Sequence, residues 1–205
     1  MAKTEKNTYH HGDLRATLIQ AAMELLPAKG ASGLSLREVA KVAGVSHAAP
    51  YRHFKDKAAL LTALAQSGFE QLAQAMTVVV EQYENDPQQQ FVAAAEAYVE
   101  LGLRNPDMMH LMFGGVLDPE LLDEEYCATT EKAFAGLVHI ISAGQAAGVF
   151  KSCDVQILAV SAWSMVHGLM MLITAGQLRE VTTTPEQVKQ LSRQLAENLL
   201  NGILV

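Results

Sequence analysis

Tyr51, Arg52, His53, Lys55 and Lys57 gather a phenol, a guanidinium, an imidazole and two ammonium groups into one short segment. Their shared chemistry is donation. Such a set reaches phosphate oxygens by hydrogen bond and by charge, and a guanidinium can also pair with the edge of a guanine. Catalysis would require a nucleophile, a base and an orienting group converging in a cleft. The adjacent carboxylates Asp123, Glu124 and Glu125 point in different directions on a helix and read as a solvated acidic patch. No glycine-rich phosphate loop, nucleophile elbow or HExxH motif is present. His110, His139 and His167 fall on separate segments, with no two at a chelating separation, so each reads as a buried histidine with one hydrogen bond. No catalytic residue, metal or cofactor is expected.

The elements that must position the donors run from Ser35 to Lys57. Ser35 followed by Glu38 is the pattern of a capping box, in which hydroxyl and carboxylate each take up a free backbone donor. Leu36, Val39, Ala40 and Ala43 then share one face at spacings of three and four. Gly44 suits the left-handed residue that ends this helix, Val45 can pack back beneath it, and Ser46 can cap a second helix. Two short helices joined by a glycine turn form a helix-turn-helix, whose second helix enters the DNA major groove. Ala40 keeps the two helices close. The residues expected to contact double-stranded DNA are Ser35, Arg37, Ser46, His47, Ala48, Tyr51, Arg52, His53 and Lys57. The competing reading is a helical hairpin in an ordinary core with solvated charges.

The runs LIQAAMELL, LSLREVAKVAGVS and YRHFKDKAALL resemble the DNA-binding domain of TetR-family (tetracycline-repressor-like) regulators. Trp163, His167 and Gly168 in AWSMVHGLMML resemble the Trp-His-Gly signature of one group of regulatory domains in that family. The resemblance implies an all-α chain, with a three-helix DNA-binding domain over 1–66 and a helical ligand-binding and dimerisation domain over 67–205. It further implies a cytoplasmic homodimer joined through its last two helices, and a repressor released by a small-molecule effector. A DNA-binding architectural or activating protein without a ligand is the alternative. One departure is visible: where many members have a small residue, Thr and an aliphatic residue before the tyrosine, this chain has Ala48-Ala49-Pro50. Proline lacks a donor and biases Ala49 away from helical geometry, so the second helix is expected to start late or irregularly. That leaves His47, Ala48 and Arg52 as the side chains most able to face base edges.

Methionines adapt to irregular ligands, and Met108, Met112, Phe113 and Met170, with Trp163 and His167, are the expected lining of an effector pocket. Plain core is the competing reading for methionines at helical spacing. His167 is expected to contact the backbone of a neighbouring helix or the effector itself.

A chain of 205 residues can bury a sizeable core. Its formal net charge of −7 argues against nucleic acid until it is divided. Residues 1–66 hold nine Lys/Arg against five Asp/Glu, whereas the remainder holds six against seventeen. The acidic part repels DNA and presents the basic end first. Cys127 and Cys153 show no paired spacing, which suggests neither a disulfide framework nor a zinc site and fits a reducing cytoplasm. The polar N-terminus, MAKTEKNTYHHGD, has no signal-peptide pattern. Residues 155–178 carry no charge and could span a bilayer by length, but Gln156, Ser161, Ser164, His167 and Gln177 would be costly there. A central core helix, and no membrane, is the expectation.

In chain order, residues 1–8 read as a frayed basic arm, and Asp13 can cap a helix with apolar Leu14, Leu18, Ala21, Ala22 and Leu25. Pro27 should distort its last turn. Asp56 opens a long helix to about Glu84, and Asn85-Asp86-Pro87 ends it. Phe91, Ala94, Ala95, Tyr98 and Leu101 mark the next helix, MMHLMF a short one, and Phe134, Leu137, Val138 and Ile141 the apolar side of another. After residues 155–178, Thr184 and Pro185 start a last helix with Val188, Leu191, Leu195 and Leu199 in a stripe. About nine helices and no strand are predicted.

Overall fold

Short polar side chains start the helices. Asp56 accepts from the Ala59 amide at 2.9 Å, Asp86 from Gln89 at 3.1 Å, Asp123 from Tyr126 at 2.8 Å and Asp154 from Ile157 at 3.0 Å. Thr184 takes the Gln187 amide at 3.3 Å in the same way. Each satisfies one of the donors that a helix start leaves free, an interaction typically worth about 1 kcal/mol.

The computed structural model describes residues 14–203. The basic arm and the Asp13 cap lie outside the described residues. Eight α-helices follow in order: α1 (Leu14–Gly33), α2 (Leu36–Val42), α3 (Lys57–Gln82), α4 (Pro87–Arg104), α5 (Pro106–Phe113), α6 (Glu124–Ala146), α7 (Val155–Thr174) and α8 (Pro185–Ile203). Two 3-10 turns, Pro50–Arg52 and Pro119–Leu121, lie between them, and no strand occurs among the described residues. The count differs from the nine helices expected because the second helix of the helix-turn-helix is only the first of these turns. Pro27 lies inside α1, and the break comes three residues later at Gly30, whose φ of 62° and ψ of 170° no helix accommodates.

Two groups of helices share α3. Its first half packs on α1, which in turn carries α2, around Leu18, Ala22, Leu26, Val39, Leu60 and Leu64, all buried. Phe54, from the segment after the 3-10 turn, seals this core. The second half of α3 lies on α4 and α6, while α7 packs on α4 and α6 and α8 packs on α4. Glu96 of α4 pairs with Arg193 of α8 at 2.7 Å. The short α5 wedges under α1 and α3. Gly68 makes that wedge possible: a Cβ there would stand 2.5 Å from the Met112 sulfur and 3.1 Å from Met108.

Helix α7 is long and apolar enough to cross a membrane by length and composition alone, yet it packs among α4, α6 and α8. Leu158, Ala159, Ala162, Val166, Leu169 and Met170 form its buried side. Ile157, Val160, Met171 and Leu172 are exposed on the opposite side.

A glycine near the end of α6 gives a test of this packing. A Cβ on Gly144 would stand 2.2 Å from the buried Phe150 ring. Gly144→Ala should therefore destabilise the chain by about 1–2 kcal/mol, overpacking outweighing the gain in helix propensity. Gly202→Ala, which meets nothing within 4 Å, should not destabilise it. Urea midpoints of the two variants check this.

Candidate DNA interface and effector cavity

The end of α2 is built as its residues require. Gly44 takes a φ of 69°, and the Val45 amide donates to Ala40 O at 3.0 Å, the closure of a glycine-ended helix. Only half of the capping box forms: Ser35 Oγ accepts from the Glu38 amide at 3.3 Å, but the Glu38 carboxylate turns to the Ser35 hydroxyl at 3.0 Å and Lys29 Nζ at 2.9 Å. Lys29 and Ser35 hold that carboxyl below the usual range.

Past Gly44 the chain makes consecutive three-residue turns in place of an α-helix. Ala49 N donates to Ser46 O at 2.9 Å, taking the carbonyl that a helical residue 50 would use and that Pro50 cannot. Arg52 N then donates to Ala49 O, and His53 N to Pro50 O. Ala49 itself is helical, with φ −61° and ψ −44°, so proline removes a donor here without displacing its neighbour. Ser46 provides no side-chain cap, since the turn starts at Ala49 with no side-chain hydrogen bond. Arg37, Ser46, His47, Ala48, Tyr51, Arg52 and His53 are all exposed, and Ser35 and Lys57 are half-buried. Lys57, the first residue of α3, donates its ammonium to Ser32 O in the last turn of α1, beyond the break at Gly30. It ties the start of the long helix to the scaffold behind the turn.

A cavity of about 440 Å³ lies among the second group of helices. Phe69, Leu72 and Met76 of α3 form one wall, and Phe91 and Tyr98 of α4 another. Phe113 at the end of α5, Phe134 and Leu137 of α6, and Trp163 and Met165 of α7 close it. Of the residues expected here, Phe113 and Trp163 line the cavity. Met108 and Met112 instead fill the notch over Gly68, and Met170 packs over Gly102, where a Cβ would meet it at 2.7 Å. Flexible thioethers fill irregular gaps between helices, and that use of them won here. Tyr98 and Phe134 were visible in the sequence only as apolar positions, because helical period does not distinguish a core wall from a cavity wall.

His167 sits behind the cavity wall. Its Nδ1 lies 2.8 Å from the Tyr98 hydroxyl, so on the neighbouring helix its partner is a side chain and not the backbone, the backbone and the effector being the two contacts expected. Trp163 Nε1 donates to the same oxygen at 3.1 Å. Indole can only donate, so Tyr98 accepts there and its own proton is free for His167 Nδ1. Burial raises the Tyr98 pKa to about 12, and burial lowers that of His167. A neutral imidazole accepting at Nδ1 fits both shifts.

An exposed cationic helix-turn-helix on a helical body that encloses an apolar cavity defines a DNA-binding transcriptional regulator. The chain belongs to the TetR family: residues 18–64 match the family described as bacterial regulatory proteins, tetR family, and residues 91–199 match the tetracyclin repressor-like C-terminal domain. Over 51 residues, 25% of this chain and 24% of the relative, it is 47% identical to the tetracycline repressor protein class A from transposon 1721 of Escherichia coli. The chain thus spans about a quarter of the length of that repressor in the match. A protein of unknown function from Rhodococcus sp. RHA1 is 34% identical with a TM-score of 0.85, covering 98% of this chain and all of its own. The TetR family transcriptional regulator PfmR from Thermus thermophilus shares the fold at 22% identity and a TM-score of 0.66, with 90% and 97% of the two chains covered.

Tyr98→Phe should leave Trp163 Nε1 and His167 Nδ1 without their partner and cost about 1–3 kcal/mol in urea unfolding. Since the folded state holds His167 neutral, the unfolded chain takes up a proton first as pH falls. The His167 contribution to stability is fully present above the ordinary histidine pKa of about 6.5 and is lost on acidification below it. His167→Gln should flatten that part of the pH profile, as unfolding curves on either side of pH 6.5 will register.

Proposed function

We propose that the protein is a dimeric repressor that binds a partly palindromic operator and is released when a small molecule occupies the cavity. The observation that supports this most is the shared use of α3. Its first residue, Lys57, is bonded at the DNA-facing scaffold, and three of its later residues form a cavity wall. A ligand alters DNA affinity only by favouring one conformation over another. Displacing Phe69, Leu72 and Met76 shifts a helix that also carries the DNA-binding half, whose boundary with the regulatory half, at residues 66 and 67, falls inside that continuous helix.

The exposed side of α7 supports the dimer. Ile157 is 67% exposed, and Val160, Met171 and Leu172 are also exposed, with the small residues Ser161, Ser164 and Gly168 between them. Such a stripe lets two helices approach closely and removes large apolar side chains from water. Beside it runs α8. Two-fold symmetry in the protein then calls for two-fold symmetry in the operator. In this reading Arg52, His47 and Ala48 face base edges. Ser35, Arg37, Ser46, Tyr51, His53 and Lys57 hold phosphates. DNA as the partner puts the working protein in the cytoplasm. The cavity favours a ligand-gated regulator over an architectural protein, which would have no use for one.

On the operator recovered by selection from random duplexes, Lys57→Ala should weaken binding to all sequences alike and lower the salt slope by about one unit. Arg52→Ala should cost about 1–3 kcal/mol and relax one position per half-site. Anisotropy titrations at several salt concentrations separate the two behaviours, and a sequence preference altered by Lys57→Ala would refute the assignment.

Gly168→Arg should place a charge in the α7 stripe, where a side chain meets nothing within 4 Å of its Cβ in one chain. Sedimentation should then find a folded monomer with operator affinity lost. A dimer of unchanged mass would move the interface elsewhere.

A further inference from the structure

We propose that the cavity takes a ligand with an apolar body and a single ammonium group, the ammonium lying at the mouth beside Glu131. This rests on reading the cavity as the effector site and adds the chemical class of the effector.

The argument starts from which polar atoms face the cavity and what each can still do. Three polar side chains line it: Tyr98, Thr130 and Glu131. Thr130 spends its hydroxyl proton on Cys127 O at 2.7 Å. Tyr98 accepts from Trp163 and directs its proton at His167. Trp163 Nε1, the other donor among the aromatic walls, is itself spent on Tyr98. Glu131 is exposed and has no hydrogen bond or ion pair among the described residues. What remains is a set of acceptors: a carboxylate, the lone pairs of Thr130, and those of Tyr98 that its partners leave free.

A ligand must therefore bring the donors. No Lys, Arg or His lines the cavity, so an anionic head would sit beside Glu131 without a counter-charge, the costly case for a charge leaving water. The surrounding domain repeats the bias, since residues 67–205 hold six Lys/Arg against seventeen Asp/Glu and attract cations to the mouth. Phe113 and Phe134 stand 5.7 and 5.8 Å from Trp163, ring centre to ring centre, an aromatic cluster suited to the apolar body of the ligand. An alcohol brings one donor and no charge, so it should rank between amine and acid.

Trp163 is the single tryptophan of the chain and stands in the cavity wall, so its emission reports occupancy directly. The experiment titrates the full-length protein with phenylbutylamine, phenylbutanol and phenylbutyrate, one skeleton with three heads. Trp163 emission should give the amine the tightest Kd, about tenfold below that of the acid, with the alcohol between. Glu131→Gln, an exposed substitution, should weaken the amine by about fivefold and leave the alcohol unchanged. Acid binding as tight as amine binding, or an amine preference that survives Glu131→Gln, overturns the charge selection while leaving the cavity a ligand site. If none of the three probes moves the emission of the folded protein, the effector reading of the cavity fails, and this inference with it.

Discussion

One unbroken helix must serve two cores. Helix α3 runs 26 residues, about 39 Å at the helical rise, and buries apolar side chains along most of that length. Leu60 and Leu64 belong to the core beneath the helix-turn-helix, while Phe69, Leu72 and Met76 belong to the body formed with α4 and α6. A hydrogen-bonded helix of this length does not compress. A change at its far half is therefore either carried to Lys57 or absorbed where α5 and α1 press on it, and the notch at Gly68 is too tight to absorb much.

The recognition segment shows what a single donor is worth. Pro50 removes one backbone N–H, and the chain responds by giving Ser46 O to Ala49 and continuing in tighter turns. Phe54, anchored in the core below, keeps this shortened element in place against α1 and α2. The arc from Ser46 to His53, exposed except at Ala49 and Pro50, is thus set by a buried ring as much as by its own local preference. The Lys57 to Ser32 bond fixes the next residue outward and ties α3 to the same scaffold.

Polar satisfaction and an open apolar space meet at Tyr98. Its hydroxyl, shared between Trp163 and His167, is buried at the back of a cavity that otherwise offers carbon. The bond to Trp163 orients one aromatic wall, and the bond to His167 ties α4 to α7. Two of the three residues of the Trp-His-Gly signature are thereby accounted for by one oxygen, and the third, Gly168, lies on the α7 side that carries the exposed stripe.

Local signals were fully present in the sequence. Ser35, Asp56 and Thr184 marked helix starts, Gly44 marked a stop, Asn85-Asp86-Pro87 marked the end of the long helix, and the basic segment from Tyr51 to Lys57 stood out against an acidic remainder. Caps, stops and charge are properties of a few adjacent residues, so one dimension suffices to read them. The all-helical class and the helix-turn-helix followed from them. Which apolar residues face a void could not be read, because helical spacing places Met108, Met112, Met170, Tyr98 and Phe134 equally on inward faces. Only the packing of five helices decided that the methionines fill the notches at Gly68 and Gly102 while Tyr98 and Phe134 border open space. The partner of His167 was hidden for the same reason: Tyr98 lies 69 residues away, and only the crossing of α4 with α7 brings them together.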